Sequence, residues 1–474
     1  MAQLRLGARV RRLRQDQKLT QVQMAERLGI SPSYLNLIEH NQRGLSVTLL
    51  LRLAERFGVD LAGFRAEDEG RALTDLMEVF SDPLFDGHEL KTADLQEAIQ
   101  ASPAVARAIL TLYQAWRGGR GTTTAASASD SDDAVPVGMP WEEVADFHQS
   151  RDGHFAQIEQ AAQALWKDAN LTPGRLAQGL EGYLGSRLAV DVAIVPDEAL
   201  SGALRRFDQN TRRLMLSELL SPASRTFQMA VQIGWLTQRT LIERLAAGSK
   251  LTTGDADALA RRLLVNAFAG AVMLPYDAFA EAARALRHDL VALQRRFGAS
   301  FEQVAHRLAT LRRPGQPGVP FFFLKVDAAG AVLKRLTLPG FTPPRFGQLC
   351  PRLPVADALA RPGRIVTTPV RLPDGTGFIL LARTVESAAA ARRGAARALV
   401  PAVVVIGCGA SHASEIAHCD GIGADQTVAA GISCRLCPRA DCADRALPMQ
   451  FGETSAALAD EHRSGPGPWW TPAA

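Results

Sequence analysis

Three cysteines that lie within nine consecutive positions near the end of the 474-residue chain form its most chemically specific group. Cys434, Cys437 and Cys442 follow the spacing Cys-x2-Cys-x4-Cys in a stretch rich in Arg, Asp and Pro. Cys408 follows an apolar run that is a buried strand or helix, so four thiolates can converge on one metal ion or cluster. Zinc and a [4Fe-4S] cluster both accept four thiolates, and spacing alone does not separate them. We therefore predict a metal site made of Cys408, Cys434, Cys437 and Cys442.

Two alternatives to this ligand set stay open. A labile disulfide between Cys434 and Cys437 uses the same spacing. Cys350, which precedes a proline, is predicted to be a core or pocket residue that is able to replace Cys408. Only six cysteines occur, five of them after residue 400, which is not the framework of a small secreted disulfide protein and favours a reducing compartment.

The first sixty residues carry a second specific signal, a series of amphipathic helices with well-defined ends. Apolar residues recur at helical spacing from Leu6 to Leu61, in five segments. Thr20 with Gln23 three residues later makes a capping box, and Ser31 precedes a proline at the first helical position. Gly29 lies in the tight turn between these two starts, where a left-handed conformation is favourable for glycine. The second and third segments therefore predict a helix-turn-helix.

The third helix of this pattern is predicted to enter the major groove of DNA with its N-terminal end. We expect Tyr34 and Asn36 to contact base edges, and Gln21 and Arg43 to position the phosphate backbone. The full set of predicted DNA-binding residues is Gln21, Ser31, Ser33, Tyr34, Asn36 and Arg43. Six of the first eighteen residues are basic against one acidic residue, although the whole chain is only +4, and this local excess suits phosphate contact.

The N-terminal pattern resembles the lambda-repressor-like, XRE-type DNA-binding family. The matching residues are Thr20-Gln21, Ala25-Glu26, Gly29-Ile30-Ser31, Ile38-Glu39 and Arg43. DNA-binding domains of this type bind palindromic half-sites as dimers, so a double-stranded DNA operator and a homo-oligomer are expected.

The middle of the chain resembles the ImmA/IrrE zinc peptidases, whose His-Glu-x-x-His helix provides two imidazole ligands and a general base. The matching positions here are Val231, Gln232 and Trp235, and none is able to ligate zinc or to act as a base. We therefore predict an inherited scaffold that is not an enzyme. A metal-dependent protease acting on a repressor is the competing function.

From Pro320 to about Pro448 the chain resembles the C-terminal domain of the short-chain fatty acyl transcriptional regulators, and the domain order matches that family too. The resemblance rests on Phe321 to Phe323, Asp327, Gly330, Lys334-Arg335, Phe346-Gly347, Cys350-Pro351, Pro362 to Arg364, Asp374-Gly375, Arg383-Thr384, Gly407-Cys408 and the stretch from Cys434 to Pro448. It implies a response to a short-chain acyl-CoA. An acyl-CoA needs basic side chains near its phosphates and an apolar pocket for the acyl group. Lys334, Arg335 and Arg345 beside Phe346 are the predicted ligand-binding residues.

Length, composition and these resemblances together predict a mainly α protein with an α+β C-terminal part. Its domains would be a lambda-repressor-like helical domain, a helical peptidase-like middle domain and a small-sheet sensory domain with the cysteine-rich metal site. The predicted segments are residues 1–66 (helix-turn-helix domain), 67–116 (helical connector), 117–140 (flexible linker), 141–312 (degenerate ImmA/IrrE-like domain) and 313–474 (sensory domain with the cysteine cluster).

Local patterns refine these segments. A long helix is predicted from Trp141 to about Ala169, and another begins at Leu171-Thr172-Pro173. Leu188 to Val195 is a predicted strand in an otherwise helical middle domain, and Arg364 to Val370 and Gly377 to Thr384 are predicted strands of a small sheet.

The expected location is cytoplasmic, without a membrane partner, because the longest apolar run, Ala398 to Gly407, is too short to span a bilayer. A phage-type or antitoxin repressor without a metabolite ligand is the remaining alternative to an acyl-CoA-responsive transcriptional regulator.

Overall fold

The computed structural model of the chain describes residues 10–387 and 400–447, apart from residues 12, 15, 16, 18, 40–42, 44–48, 50, 51, 54, 55, 58–65, 86–89, 123–139, 202, 250, 329, 346, 347 and 440. The described residues divide into two compact units, an N-terminal unit that extends to Tyr113 and a C-terminal unit that begins at Gln114.

The N-terminal unit is helical throughout its described residues. Its helices are α1 (Gln21–Leu28), α2 (Pro32–Glu39), α3 (Ala66–Phe80), α4 (Thr92–Ala101) and the first part of α5 (Pro103–Thr122). The capping box at Thr20 is present, and Gly29 ends α1 with a φ of +68°, so the predicted turn is confirmed. One core is formed by Val10, Met24, Ala25, Leu28, Leu35, Ile38, Leu49 and Leu53. A second is formed by Leu76, Leu95, Ile99 and Ala106.

The C-terminal unit begins with a mainly helical middle domain that contains a three-stranded sheet. The helices are α6 (Pro140–Ser150), α7 (Ala156–Asp168), α8 (Leu176–Leu188), α9 (Pro222–Thr237), α10 (Arg239–Ala247), α11 (Gly254–Met273), α12 (Tyr276–Ala285), α13 (Leu290–Phe297) and α14 (Phe301–Ala309). The strands are β1 (Asp191–Val195), β2 (Arg205–Asp208) and β3 (Arg213–Ser217). Strand β3 lies in the centre, parallel to β1 and antiparallel to β2.

The rest of the C-terminal unit, here called the C-terminal domain, is built on a six-stranded sheet. The strands are β4 (Phe322–Asp327), β5 (Val332–Leu336), β6 (Val366–Arg371), β7 (Gly377–Ser387), β8 (Val400–Gly409) and β9 (Val428–Ala429), with helix α15 (Val355–Ala360) between β5 and β6. Their order is β5-β4-β8-β7-β6-β9, antiparallel except for the β6/β9 pair.

The two faces of this sheet belong to different apolar cores, as the alternation along β8 shows. Val404 and Ile406 pack in a core shared with α12 to α14, together with Cys408. Val403 and Val405 pack on the other face, in a core that also contains Cys350. The register of one strand therefore decides which side chains are able to meet.

Several local predictions differ from the structure for identifiable reasons. The long helix predicted from Trp141 is two helices, because the chain turns at Asp152 and Gly153 with positive φ angles of 51° and 69°. Helix α8 begins at Leu176 rather than beside Pro173. Helix α5 continues to Thr122, six residues into the segment predicted as a linker, whose residues 123–139 lie outside the described part.

The predicted strands at 364–370 and 377–384 are confirmed as β6 and β7. The strand predicted from Leu188 is shorter, since α8 occupies residues up to Leu188, and strands β2 and β3 had not been predicted. The longest apolar run overlaps most of β8, a central strand buried on both faces. Such a strand has no polar face, so its sequence does not alternate and is ambiguous between strand and helix.

Among the described residues, no single helix has both the length and the apolar character of a membrane span. Helices α11 and α12, which meet at a 60° bend, have the length and apolar character of a membrane span only when they are taken together.

Candidate functional site

The predicted recognition helix, α2, starts from a side-chain cap and exposes one polar face. The Ser31 hydroxyl accepts a hydrogen bond from the backbone N–H of Tyr34 at 3.1 Å. Leu35 and Ile38 are buried in the core, which leaves Ser33 and Asn36 exposed. The face opposite the core therefore carries small polar groups with hydrogen-bonding capacity, as contact with base edges requires.

A charged network lies between α1 and α2 beneath this face. Arg14 donates to both oxygens of Glu39, at 2.7 and 3.1 Å, and Glu39 is only 4% exposed. Gln21 donates to the same carboxylate at 2.8 Å and to Oδ1 of Asn36 at 3.3 Å. Burial by itself would raise the pKa of Glu39, but the bonds from Arg14 and Gln21 outweigh it and keep that pKa below its usual value.

The structure places the predicted DNA-binding residues as follows. Gln21 and Tyr34 are half-buried, Tyr34 against the core, and Ser31, Ser33, Asn36 and Arg43 are exposed. Gln21 thus orients Asn36 from the neighbouring helix. Glu39 was not predicted as a functional residue, and Arg14 is one of the six basic residues near the N-terminus that were expected to suit phosphate contact. An acidic residue at the end of α2, which faces the core, was the available signal for this pair.

The positions that match the peptidase helix are packed or bonded inside the middle domain. Val231 and Gln232 are each 3% exposed, and Trp235 packs against the apolar core. The side-chain carbonyl of Gln232 accepts a hydrogen bond of 2.8 Å from Arg205. Burial, together with the like charge of Arg262, lowers the pKa of Arg205. The amide of Gln232 therefore has a structural partner at the position where the peptidases have a general base.

The two predicted ligand-binding arginines, Arg335 and Arg345, form ion pairs with helix α6. Arg335 donates to Glu142 of α6, and Arg345 donates to Glu142 at 3.0 Å and to both oxygens of Asp146 at 2.9 and 3.1 Å. The side chains of Arg335 and Arg345 are only 8% and 6% exposed. Both charges are thus paired with carboxylates of α6, Glu142 at 11% exposure and Asp146 at 44%, and a role of the arginines in ligand binding stays a prediction.

Lys334 lies on the other face of β5, and Phe346 lies outside the described residues. The ammonium group of Lys334 is 5.7 Å from the ring centre of Phe323. Burial lowers the pKa of Lys334. The rings of His148 and His306 stack near it, with centroids 5.7 Å apart. This histidine pair connects α6 to α14 and was not identified from the sequence, because the two histidines are far apart in the chain.

The cysteines lie on two sides of the sheet. Cys408 is buried in the core shared with α12 to α14, with Cys419 at its edge. Burial raises the pKa of Cys408 to about 12. Cys350 packs in the opposite core, and its backbone N–H donates to the carbonyl of Ile432, two residues before Cys434. Cys408 and Cys350 therefore lie in cores on opposite faces of the sheet. Of the two, Cys350, the predicted alternative to Cys408, contacts the segment before Cys434, and the metal site itself stays a prediction.

The segment from Cys434 to Leu447, here called the cysteine loop, folds around one guanidinium group. Arg445 donates to the carbonyls of Cys434 and Cys437 at 3.0 Å each, to Leu447 at 3.4 Å, and also to the carbonyl of Arg439. Cys434 and Cys437 are close enough to Cys350 to add to the effect of burial, which raises the pKa of Cys350. Within the described part of the chain, however, no group of three or more His, Cys, Asp or Glu side chains has the arrangement of a formed metal site.

Comparison with known proteins matches three parts of the chain to protein families. The chain matches the family models for a helix-turn-helix over residues 10–64, an IrrE N-terminal-like domain over residues 186–309, and the C-terminal part of the short-chain fatty acyl coenzyme A regulators over residues 310–466. A solved structure described as a Mycobacterium tuberculosis transcriptional regulator superposes with a TM-score of 0.60 at 35% identity, and the match covers 66% of this chain and 95% of that one.

Several relatives match the chain over nearly its whole length. HTH-type transcriptional regulator PrpR of Mycobacterium tuberculosis is 35% identical over 457 residues, which cover 95% of this chain and 93% of that protein. The propionyl-CoA carboxylase regulator of Cereibacter sphaeroides is 38% identical over 456 residues, 94% of this chain and 95% of that protein. HTH-type transcriptional regulator RamB of Mycobacterium tuberculosis is 35% identical over 477 residues, 99% of each chain. The chain therefore belongs to the short-chain fatty acyl coenzyme A regulator family of helix-turn-helix transcriptional regulators.

Proposed function

We propose that the protein is a transcriptional regulator that binds a specific DNA operator through α2. The observation that carries this proposal is the exposed polar face of α2, supported from below by the bonds of Gln21 to Asn36 and Glu39. A side chain that is held in one orientation before binding loses less conformational freedom when it contacts a base. The family relationship supports the same function.

Asn36→Ala is expected to relax sequence preference more than it weakens general DNA binding. A good contact between a side chain and a base contributes about 1–3 kcal/mol of discrimination, so the affinity for the preferred duplex should fall roughly 5- to 150-fold. Affinity for random duplex, which depends mainly on phosphate contacts, should change little. Fluorescence anisotropy with a duplex selected in vitro and with a scrambled duplex, at one salt concentration, measures both quantities.

Gln23→Ala provides a matched control, since Gln23 lies on α1 and bonds only within the capping box at Thr20. Equal losses of affinity on the selected and scrambled duplexes in Asn36→Ala would contradict the assignment of this residue to base contact.

The effector proposed for this regulator is a short-chain acyl-CoA. Relatives named for propionyl-CoA carboxylase regulation and a family model described by short-chain fatty acyl coenzyme A support it. Calorimetric titration of the full chain with acetyl-CoA, propionyl-CoA and free CoA tests the proposal directly. Tighter binding of an acyl-CoA than of free CoA is expected. No binding of any of the three would favour a repressor without a metabolite ligand.

The proposed role of the middle domain is that of a scaffold without peptidase activity. Its support is the replacement of the reactive groups by Val231, Gln232 and Trp235, with Gln232 bonded to Arg205. The relatives are named as transcriptional regulators rather than as enzymes. Metal-dependent peptide cleavage that copurifies with the chain and disappears on mutation of α9 would overturn this role.

The assembly proposed for the regulator is a homo-oligomer, because helix-turn-helix readers gain specificity by binding two half-sites about one helical turn apart. Light scattering during gel filtration, with and without the selected duplex, measures the stoichiometry. A single chain per duplex would argue against a dimer.

A thiolate site at the cysteine loop is a second proposal, with Cys350, Cys434, Cys437 and Cys442 as its candidate ligands. Its support is the closeness of Cys350 to Cys434 and Cys437 and the donor chemistry, since zinc and iron-sulfur clusters both take thiolates. A bound metal would supply folding energy to a segment with few apolar residues. Arg445 binds the carbonyls of Cys434 and Cys437 and so holds the backbone of the loop at these two candidate ligands.

Cys434→Ser and Cys437→Ser are expected to lower the metal content of the anaerobically purified protein and to speed proteolysis between residues 431 and 447. Cys408→Ser and Cys419→Ser are the matched controls, because both residues lie with the core on the other face of the sheet. Elemental analysis and the visible spectrum measure the outcome: a brown protein indicates iron-sulfur, and a colourless protein with zinc indicates structural zinc. Full metal content in Cys434→Ser and Cys437→Ser would rule the site out.

A further inference from the structure

Helix α6 is the first described element after residues 123–139 and the first helix of the middle domain, so it lies on the covalent path from the N-terminal unit to the C-terminal domain. One face of α6 is apolar and belongs to the middle domain. Val144 and Phe147 pack in the middle-domain core, and the rings of Phe147 and Phe155 have centroids 5.7 Å apart. Burial of these two side chains attaches α6 to the middle domain.

The opposite face of α6 is charged and binds the C-terminal domain. Glu142 accepts hydrogen bonds from Arg335 of β5 and from Arg345 in the segment after it, which are 193 and 203 residues away in sequence. Asp146, one helical turn later, accepts two bonds from Arg345. One carboxylate thus compensates two arginines that belong to different segments of the C-terminal domain.

The last turn of α6 fixes the position of the helix along the edge of the sheet. The side chain of Gln149 accepts a bond of 2.8 Å from the backbone N–H of Thr337 and donates to its carbonyl at 3.4 Å. His148 of the same turn stacks on His306 of α14. Because β5 is an edge strand, α6 occupies the place where another strand would otherwise pair.

We propose that α6 is a clamp whose docking on the edge of the C-terminal sheet transmits the effector-bound state of that domain to the DNA reader. The proposal rests on the acyl-CoA effector proposed above. Undocking of α6 would remove Glu142 from Arg335 and both Glu142 and Asp146 from Arg345, so partial undocking is unfavourable and the helix is either docked or released. Coupling between distant sites requires such an element with two discrete arrangements.

Glu142→Gln in the full chain, with Glu143→Gln as the matched control, tests the clamp. Glu143 is the next residue on the same helix, but it accepts bonds of 2.8 and 2.6 Å from Thr252 within the middle domain. Operator affinity is measured with a duplex selected in vitro, with and without propionyl-CoA. Hydrogen exchange of residues 140–150 is followed under the same conditions.

In the unaltered chain we expect propionyl-CoA to change operator affinity at least about fivefold, which is the lower end of typical allosteric coupling, and to change exchange within α6. In Glu142→Gln the change in operator affinity should fall to less than about twofold while calorimetry still detects propionyl-CoA binding. Glu143→Gln should keep the full response. Asp146→Asn, at a more exposed position that is safer for folding, should reduce the response partly.

Different results would contradict the proposed clamp and the proposed effector. Absence of propionyl-CoA binding to the unaltered chain would overturn the proposed effector. Normal binding, combined with an undiminished effect on operator affinity in both Glu142→Gln and Asp146→Asn, would overturn the clamp. Exchange within α6 that does not respond to bound propionyl-CoA would overturn it as well.

Discussion

Glu159→Gln is expected to lower the free energy of unfolding of the C-terminal unit by about 3–5 kcal/mol, because it leaves a buried guanidinium group uncompensated. Arg307 of α14 donates to both oxygens of Glu159 on α7, at 2.6 and 2.9 Å, and its Nε donates to the carbonyl of Leu274 at 2.8 Å. Both side chains are at most 10% exposed. Glutamine keeps the shape and one acceptor but removes the charge that Arg307 needs.

Urea unfolding followed by circular dichroism measures this loss at neutral pH. Glu243→Gln is the control, since the pair of Glu243 with Arg239 lies on the surface, where solvent screens it, and no measurable change is expected. The double variant Glu159→Met with Arg307→Met should recover much of the stability, because a well-packed apolar pair avoids the cost of desolvating two charges. Equal stability of Glu159→Gln and the unaltered chain would show that the pair is not coupled to folding.

Acidification from pH 7.5 to 5 is expected to destabilise the C-terminal unit through His148 and His306. Burial lowers the pKa of His148 to about 3, and the nearby charges of Lys334 and Arg312 act in the same direction. Burial also lowers the pKa of His306 well below its usual value, as do Lys334, His148 and Arg307. The two rings stack on each other, so a proton on either one would face these cations without a carboxylate to bind it.

The direction of this pH effect follows from the protons that the histidines take up on unfolding. The unfolded chain protonates these histidines near pH 6.5 and the folded chain does not, so stability is complete above that pH and is lost as the pH falls below it. At pH 5 the loss for His148 amounts to about 2 kcal/mol, calculated from 1.36 kcal/mol per unit of pH. His148→Phe keeps a ring that stacks but binds no proton, so its stability should depend less on pH by about this amount. Parallel pH profiles of the unaltered chain and His148→Phe, measured by urea unfolding, would contradict this explanation.

Local features of the N-terminal unit could be predicted because their causes lie within a few residues. The capping box at Thr20 and the left-handed Gly29 depend on side chains three residues apart or on a single backbone conformation. The same holds for β6 and β7, whose ends are set by the turn that contains Gly375. Such features do not require knowledge of the rest of the fold.

The break between α6 and α7 could not be predicted from the local sequence. Helical periodicity is continuous across Asp152 and Gly153, yet the chain turns there and returns toward the core. The turn is tightly packed, because a Cβ on Gly153 would lie 2.9 Å from Thr310 and 3.3 Å from His148. One of these neighbours, Thr310, is far along the chain. Apolar periodicity indicates that a segment favours a helix, whereas tertiary packing determines where that helix ends.

The sequence by itself determined the helix-turn-helix, the domain order and the absence of zinc-binding groups at Val231, Gln232 and Trp235, since each depends on residue type or short spacing. Only the tertiary structure decided which distant groups meet. It places Cys408 on the opposite face of the sheet from Cys350, and it pairs Arg345 with Glu142 across 203 residues. The physical reason is that strand register and helix docking fix these neighbours, and both depend on the packing of the whole unit rather than on any one segment.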